Sequence, residues 1–371
     1  MSAVRLDRRR CLALALAGLP PGAFAATGAL GVRRRPLVFP HDHGAHPDTR
    51  TEWWYATGSL QAEGGGDAPL FGFQVTFFRS RTPVPADHPS RFAAHQLLFA
   101  HAAVSDLPAR RLRHDQRIAR TGFGIAEAAE GDTRLVLRDW QFARESGGID
   151  GVYSARVASA SAGFALDLQL ATTQPPLLQG DAGYSRKGPL ESQASHYYSQ
   201  PQLGVSGTVR RDDRTQTVRG RAWLDHEWSE TLMAPDAVGW DWIGMNLDDG
   251  TAFTAFRLRR RDASVVWSGG SLRRPGQAAQ AFEGVDAVRF VPGRRWTSPS
   301  TNATYPVQWT VESPAGRHEV RALLDAQELD SRGSTGSIYW EGLAELVDAA
   351  SGRRVGRGYL EMTGYAGALQ W

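Results

Sequence analysis

Side chains alternate along "PLFGFQVTFFRS": Phe71, Phe73, Val75 and Phe77 fall on one side, Leu70, Gln74, Thr76 and Phe78 on the other. A period of two residues belongs to a β-strand with one face in a core. The same alternation recurs in "HQLLFAHAAV", "TRLVLRDWQF", "FALDLQLAT", "GVSGTVRR", "TQTVRGRAWLDHEW", "PVQWTVES", "HEVRALL", "SIYWEGLAELV" and "GRGYLEMTGY". Between such runs stand Gly64, Gly65, Gly66 and Asp67 in one place and Asp249 and Gly250 in another, the residues a hairpin turn needs. No long stretch carries a helical stripe, so the expected fold is all-β and antiparallel.

Short strands joined by turns build sandwiches, propellers or barrels. A propeller would show several blade-length repeats, and none is present. There is one loose doubling. "EWWYATGSL", a Gly-rich turn and "FGFQVTFFRSR" are echoed by "GWDWIGMNL", Asp-Gly and "TAFTAFRLRR". Two related β units are therefore expected, over 36–215 and 216–371, meeting at the polar tip "RRDDRTQ" or in the strand after it. Trp54 and Trp242 should occupy comparable places in their first strands. A chain of 371 residues has room for two such cores.

The first 25 residues read differently. "DRRRCLALALAGLPPGAFA" has arginines, a short apolar run and small residues at Ala23 and Ala25, the layout of an export signal. The paired Arg8 and Arg9 resemble a twin-arginine signal. The expectation is a periplasmic or secreted protein. Its mature part has no cysteine, which excludes disulfides and thiolate catalysis, and no run apolar enough to span a bilayer as a helix. The net charge of +3 is carried almost wholly by scattered arginine, Lys187 being the sole lysine, and this is no nucleic-acid footprint.

"RAWLDHEWSE", residues 221–230, concentrates the chemistry. Alternation sends Trp223, Asp225 and Glu227 to one face and Leu224, His226 and Trp228 to the other. Protonating an alkene requires a carboxylic acid kept neutral by burial, with aromatic faces nearby. Asp225 and Glu227 beside Trp223 fit that outline, as does Asp241 between Trp240 and Trp242. The alternative is a structural ion pair to Arg221 or another arginine, with the tryptophans sealing a barrel end. In "HDHGAHPD", His41, His43 and His46 suggest a metal, but turn and capping contacts suit this Pro- and Gly-punctuated segment better. His95 and His101 share a face and could line a lumen; Gln96 points the other way. Tyr184, Ser185, Lys187, Tyr197, Tyr198 and Ser199 could hold the polar end of an apolar ligand.

In order along the chain, "HDHGAHPDTRTEWWYATGSL", "GDAGYSRKGP", "SHYYSQPQLGVSGTV", "RAWLDHEWSE", "GWDWIGMNLDDGT", "YWEGLAELV" and "GRGYLEMTGY" resemble the AttH-like and carotenoid 1,2-hydratase-like superfamily of exported proteins. The resemblance implies two lipocalin-like barrels, an apolar ligand and, in the hydratase branch, addition of water to an isoprenoid double bond. That branch pairs the His-x-Trp of the central motif with an aspartate on a following strand. Here His226 and Trp228 are kept while "TAFTAFRLR" has no carboxylate, so an acid has to come from elsewhere. Three readings follow: a carrier of a hydrophobic small molecule, a hydratase, or an accessory of an envelope transport system. The catalytic candidates are Asp225, His226, Glu227 and Asp241. The ligand-binding candidates are Trp54, Tyr55, His95, Gln96, Tyr184, Lys187, Tyr197, Tyr198, Trp223, Trp228 and Trp242. No cofactor and no metal is called for.

Overall fold

A computed structural model describes residues 31–147, 149–231 and 233–369. The export signal read over 1–25 lies outside the described residues. Among those described, the chain is almost entirely antiparallel strand, apart from a single 3-10 turn at His41–His43. Among the described residues no helix is long and apolar enough to cross a membrane.

Two large sheets follow one another. The first runs from Arg111–Arg120 through Gln96–Asp106, Phe71–Arg81 and Thr51–Ala62 to Arg214–Ser229 and Ala194–Arg211. It continues through Phe164–Ala171, Val152–Ser159, Trp140–Glu145 and Arg134–Leu137 to Ala126–Ala128. The sheet curls until its ends share one interior. Leu135, Leu137 and Trp140 from one end pack in the same core as Leu98, Ala100 and Ala102 from the other, with Phe71, Phe73, Val75 and Phe77 between them. Curling hides the edges that an open sheet would expose.

The second sheet is centred on Gly239–Leu247, between Ala252–Arg259 and Arg354–Met362, with Ser337–Asp348 beyond the latter. It encloses a separate core of Ile243, Met245, Phe253, Trp309, Trp340 and Leu360. The doubling is visible in the pairing. In each sheet the opening strand is flanked by the strand that follows it and by the sheet's last long strand.

Two expectations need correction. The turn at Asp212 and Asp213 joins Ala194–Arg211 to Arg214–Ser229, and both strands belong to the first sheet, paired from His196↔Trp228 to Arg211↔Arg214 with a shift of register between Gln200 and Leu203. The chain therefore leaves the first sheet between Ser229 and Gly239, not at the hairpin tip, because the strand after the tip is needed to pair with Thr51–Ala62. Nor do Trp54 and Trp242 match. Trp54 points into the first barrel, whereas Trp242 points out of the second, against Tyr55 and Trp223 of the first. Laid side by side, the two echoing segments set Trp242 opposite Tyr55 and Asp241 opposite Trp54, so matching the two tryptophans is off by one residue, and with a period of two that reverses the face.

The sheets pack together through the outward faces of their central strands, where Tyr55 and Trp223 meet Trp242, Phe256, Leu343 and Tyr359. They come so close at Gly72 that a Cβ there would lie 2.6 Å from Tyr359 Oη and 3.0 Å from Leu343 Cβ.

Candidate functional site

The strand Arg214–Ser229 places ionisable groups on both faces. Its inward face carries His226 into a polar cluster beside the core. Glu52, fully buried and opposite Trp228 in register, takes His46 Nδ1–H at 2.7 Å and His226 Nε2–H at 2.9 Å on one oxygen and Arg79 Nε–H at 2.7 Å on the other. Burial alone would raise its pKa. The two histidine hydrogen bonds and the guanidinium outweigh that and hold Glu52 well below the carboxylate range. Arg79 also donates to the carbonyl oxygens of His46 and Thr49 and to Gln96 Oε1.

Proton positions follow from these contacts. Burial lowers His226 to about 4 and His43 to about 3, so both rings are neutral at physiological pH. His226 spends its one N–H on Glu52, so its Nδ1 accepts from Tyr198 O–H at 3.2 Å. Tyr198 oxygen in turn accepts from His43 Nδ1–H at 2.7 Å. His46 faces Asp42 through one nitrogen and Glu52 through the other. Burial opposes its charge, but the hydrogen bonds to the two carboxylates prevail and raise its pKa. The rings are clamped too, His46 stacking on Trp228 at 3.8 Å between centroids and Trp54 on His226 at 4.4 Å.

His46, Glu52 and His226 place their ligand atoms within 4.8 Å of one another, as do His41, Asp42 and His46. Their lone pairs and protons already answer each other, and the Arg79 guanidinium on Glu52 would repel a cation there. This cluster is a network of paired groups.

The outward face is different. Asp225 and Glu227 look toward the second sheet and help line a cavity between the two sheets. Trp53, Tyr55, Phe78, Trp240, Trp242 and Phe256 supply its aromatic walls. Asp225 accepts from Tyr197 O–H at 2.8 Å, Ser199 O–H at 2.5 Å and Trp223 Nε1–H at 2.7 Å. Burial pushes its pKa up and those three donors pull it back, leaving it at about 7. Glu227 pairs with Lys187 Nζ at 3.0 Å and accepts from Ser195. Lys187 lies 4.6 Å above the ring of Tyr197 and 4.4 Å above that of Phe256.

Two further carboxyls enter from the second sheet. Glu341 and Glu361 face each other in register on neighbouring strands and both line the cavity. Burial, with the neighbouring Glu361 adding to it, raises Glu341. Glu361 keeps part of its surface open to the cavity; burial among protein atoms and the charges of Asp225 and Glu227 push it up to about 8. The strand after Gly239–Leu247 carries no carboxylate, whereas Ser337–Asp348 and Arg354–Met362 each bring one to the cavity. Glu341 sits in "YWEGLAELV", sharing its strand face with Tyr339 and Leu343, and Glu361 in "GRGYLEMTGY", sharing its face with Tyr359, so the signal in each is a carboxylate beside a tyrosine. Gln74 and His101, both on strands of the first sheet, also line the cavity. His101 bonds Tyr339 Oη at 2.8 Å through Nδ1 and faces the second sheet, not the lumen.

Of the candidate residues, Tyr55, Lys187, Tyr197, Asp225, Glu227 and Trp242 line the cavity, and Trp223 supports it through Asp225. The others do not meet there. Trp54, Tyr198, His226 and Trp228 belong to the inward network, since alternation turns them to that face. Gln96 holds Arg79, and His95 stands just before its strand, half-buried. Tyr184 packs with Val32 and Ala194 and donates to the carbonyl of Glu191. Asp241 is buried on the inner face of the second sheet, where Arg257 at 2.8 Å, Arg259 at 3.4 Å and Tyr365 hold it. It is a strut. Arg221 pairs with neither Asp225 nor Glu227 but donates to the carbonyl of Leu247.

The fold and site define a class: a pair of curled antiparallel sheets enclosing an aromatic, carboxyl-bearing cavity between them. Residues 31–365 match the AttH-like family, and the chain belongs to it. It is similar to the crystal structure of a Nitrosomonas europaea protein assigned to AttH, with 46% identity over 90% of this chain and 98% of that one and a TM-score of 0.81. Kievitone hydratase from Nectria haematococca shares the fold, with 15% identity, coverage of 86% and 90% and a TM-score of 0.58. The dehydratase asqC of Emericella nidulans is 25% identical over 197 residues, 51% of this chain. The match spans 54% of that curated relative, about half its length.

Proposed function

We propose that the cavity between the sheets binds a small, largely hydrophobic molecule and adds water to, or removes it from, a carbon–carbon double bond. The observation that carries this reading is Asp225, a buried carboxyl in an aromatic wall whose pKa of about 7 lets it give or take a proton at neutral pH. In hydration, a carboxylic acid transfers its proton to one alkene carbon, water adds to the other, and the proton that water sheds returns to the carboxylate. Dehydration is the reverse. Tyr197, Ser199 and Trp223 hold the carboxyl in place throughout. The names of the hydratase and dehydratase relatives agree with this chemistry.

Asp225→Asn tests it. With small molecules that co-purify with the protein identified by native mass spectrometry and offered back as substrates, the variant should stay folded at the assay temperature and lose turnover by about a hundredfold or more. Unchanged turnover would remove Asp225 from the chemistry. Retained ligand without turnover in the wild type would leave a carrier.

A further inference from the structure

Counted together, the ionisable groups of the cavity do not balance. Asp225, Glu227, Glu341 and Glu361 line it, and against these four carboxyls stands one basic side chain, Lys187, already paired with Glu227. The other titratable groups facing them add no positive charge. Burial lowers His101 to about 3, and Tyr55, Tyr197 and Tyr339 are raised by burial and stay neutral. Polar atoms are left over as well. Both carboxyl oxygens of Glu341, the hydroxyl of Tyr55 and Oε1 of Gln74 are buried without a hydrogen-bond partner, each on a side chain more than nine-tenths buried. Tyr55 faces Glu341 and lowers its pKa against the burial that raises it, although the contact falls outside regular hydrogen-bond geometry.

Buried polar groups are normally satisfied, and a cluster of unsatisfied ones at a cavity wall marks where a ligand completes the set. Most of those left over here accept hydrogen bonds. A partner alcohol would answer one of them and leave the carboxyls crowded. A cation answers the acceptors and the crowding together, and ring faces favour it further when water is excluded. The protein already shows the arrangement once, with Lys187 over two rings and against Glu227.

We infer that the ligand of this cavity carries a positive charge, as a protonated amine on a hydrophobic body, and that the Glu341–Glu361 pair, flanked by Tyr55 and Gln74, receives it. This deepens the proposed function and rests on its premise that the cavity is where the ligand binds. Because the pair has to be ionised to receive the charge, binding releases protons, and affinity rises with pH through the range in which Glu361 titrates, about 8.

Octylammonium, 1-octanol and octanoate share an eight-carbon chain and differ chiefly in the charge of a small polar head, so calorimetry of the full-length protein with each tests the charge. The ammonium should bind about tenfold or more tightly than 1-octanol near pH 9, and octanoate more weakly than either; this preference should shrink near pH 6. In Glu341→Gln/Glu361→Gln the ammonium should lose that advantage while 1-octanol binds as before. Glu361→Gln alone, measured beside its melting temperature, keeps the comparison open if the double variant is poorly folded. Equal binding of ammonium and alcohol overturns this inference and leaves the proposed function standing. A preference that survives both variants places the charge elsewhere and also overturns it. Failure of all three probes to bind would sink the cavity as a ligand site, and both readings with it.

Discussion

Asp225 and His226 are adjacent in the chain, yet one looks into the space between the sheets and the other into the first barrel, and their surroundings answer charge very differently. Around His226, the groups that carry charge meet a partner: Glu52 has His46, His226 and Arg79, and Asp42 has Arg35 and His46. Around Asp225, one lysine serves four carboxyls and Glu341 has no hydrogen-bond partner. Burial alone does not separate structure from function. The pairing of the charged groups does, because carboxylates and cations that already answer each other leave little for a charged ligand to do, whereas unpaired ones remain costly until something arrives.

The largest effect expected from this contrast is on the closed side. Arg79→Met leaves Glu52 buried with its guanidinium gone and should cost about 3–5 kcal/mol in chemical denaturation. A loss near zero would mean that the inward network is not a strut.

Opposite pH dependence should come next. Glu52 is held below its ordinary value, so its contribution is present above the unfolded carboxylate pKa and is lost as acid titrates the folded protein. Asp225 runs the other way. Its folded value of about 7 lies above the ordinary 3.8, so its contribution is complete below about pH 4 and is lost as pH rises toward 7. The stability of Asp225→Asn relative to wild type should therefore improve between those values, by no more than about 4 kcal/mol. A difference that is flat with pH would show that Asp225 is an ordinary carboxylate.

Gly72→Ala should separate the two sides physically. Its new methyl would push on Tyr359 and Leu343, which are two residues away from Glu361 and Glu341 on their strands. A cost of about 1–3 kcal/mol is expected, with ligand affinity reduced and the inward network undisturbed. Histidine NMR signals that shift as much as ligand affinity would break the separation. The smallest effect belongs to Arg81, whose pair with Glu230 at 3.1 Å is open to solvent; Arg81→Ala should change stability by less than about 1 kcal/mol.

Much of the fold was legible because alternation is local. The run from Phe71 to Phe77 and the split of Trp223, Asp225 and Glu227 from His226 and Trp228 needed nothing but a period of two. What alternation cannot state is which of two apolar faces lies inside. Trp54 and Trp242 read alike and point to opposite environments, since both sheets bury their outer faces against each other. Asp241, between two tryptophans, looked as suited to chemistry as Asp225; Arg257 and Arg259 reach it from the next strand, which depends on register. Glu341 and Glu361 lie more than a hundred residues from Asp225 in the chain, and no local pattern brings them together.

Lys187 gives the cavity a property that serves the experimenter. It is the sole lysine in the sequence, and it stands at the wall between Tyr197, Phe256 and Glu227. Reductive methylation with isotopically labelled formaldehyde would therefore place a single side-chain resonance inside the cavity, with no competing ε-amine anywhere else in the chain. That resonance would respond to occupancy of the cavity before the occupant has been identified, turning an accident of composition into a built-in reporter.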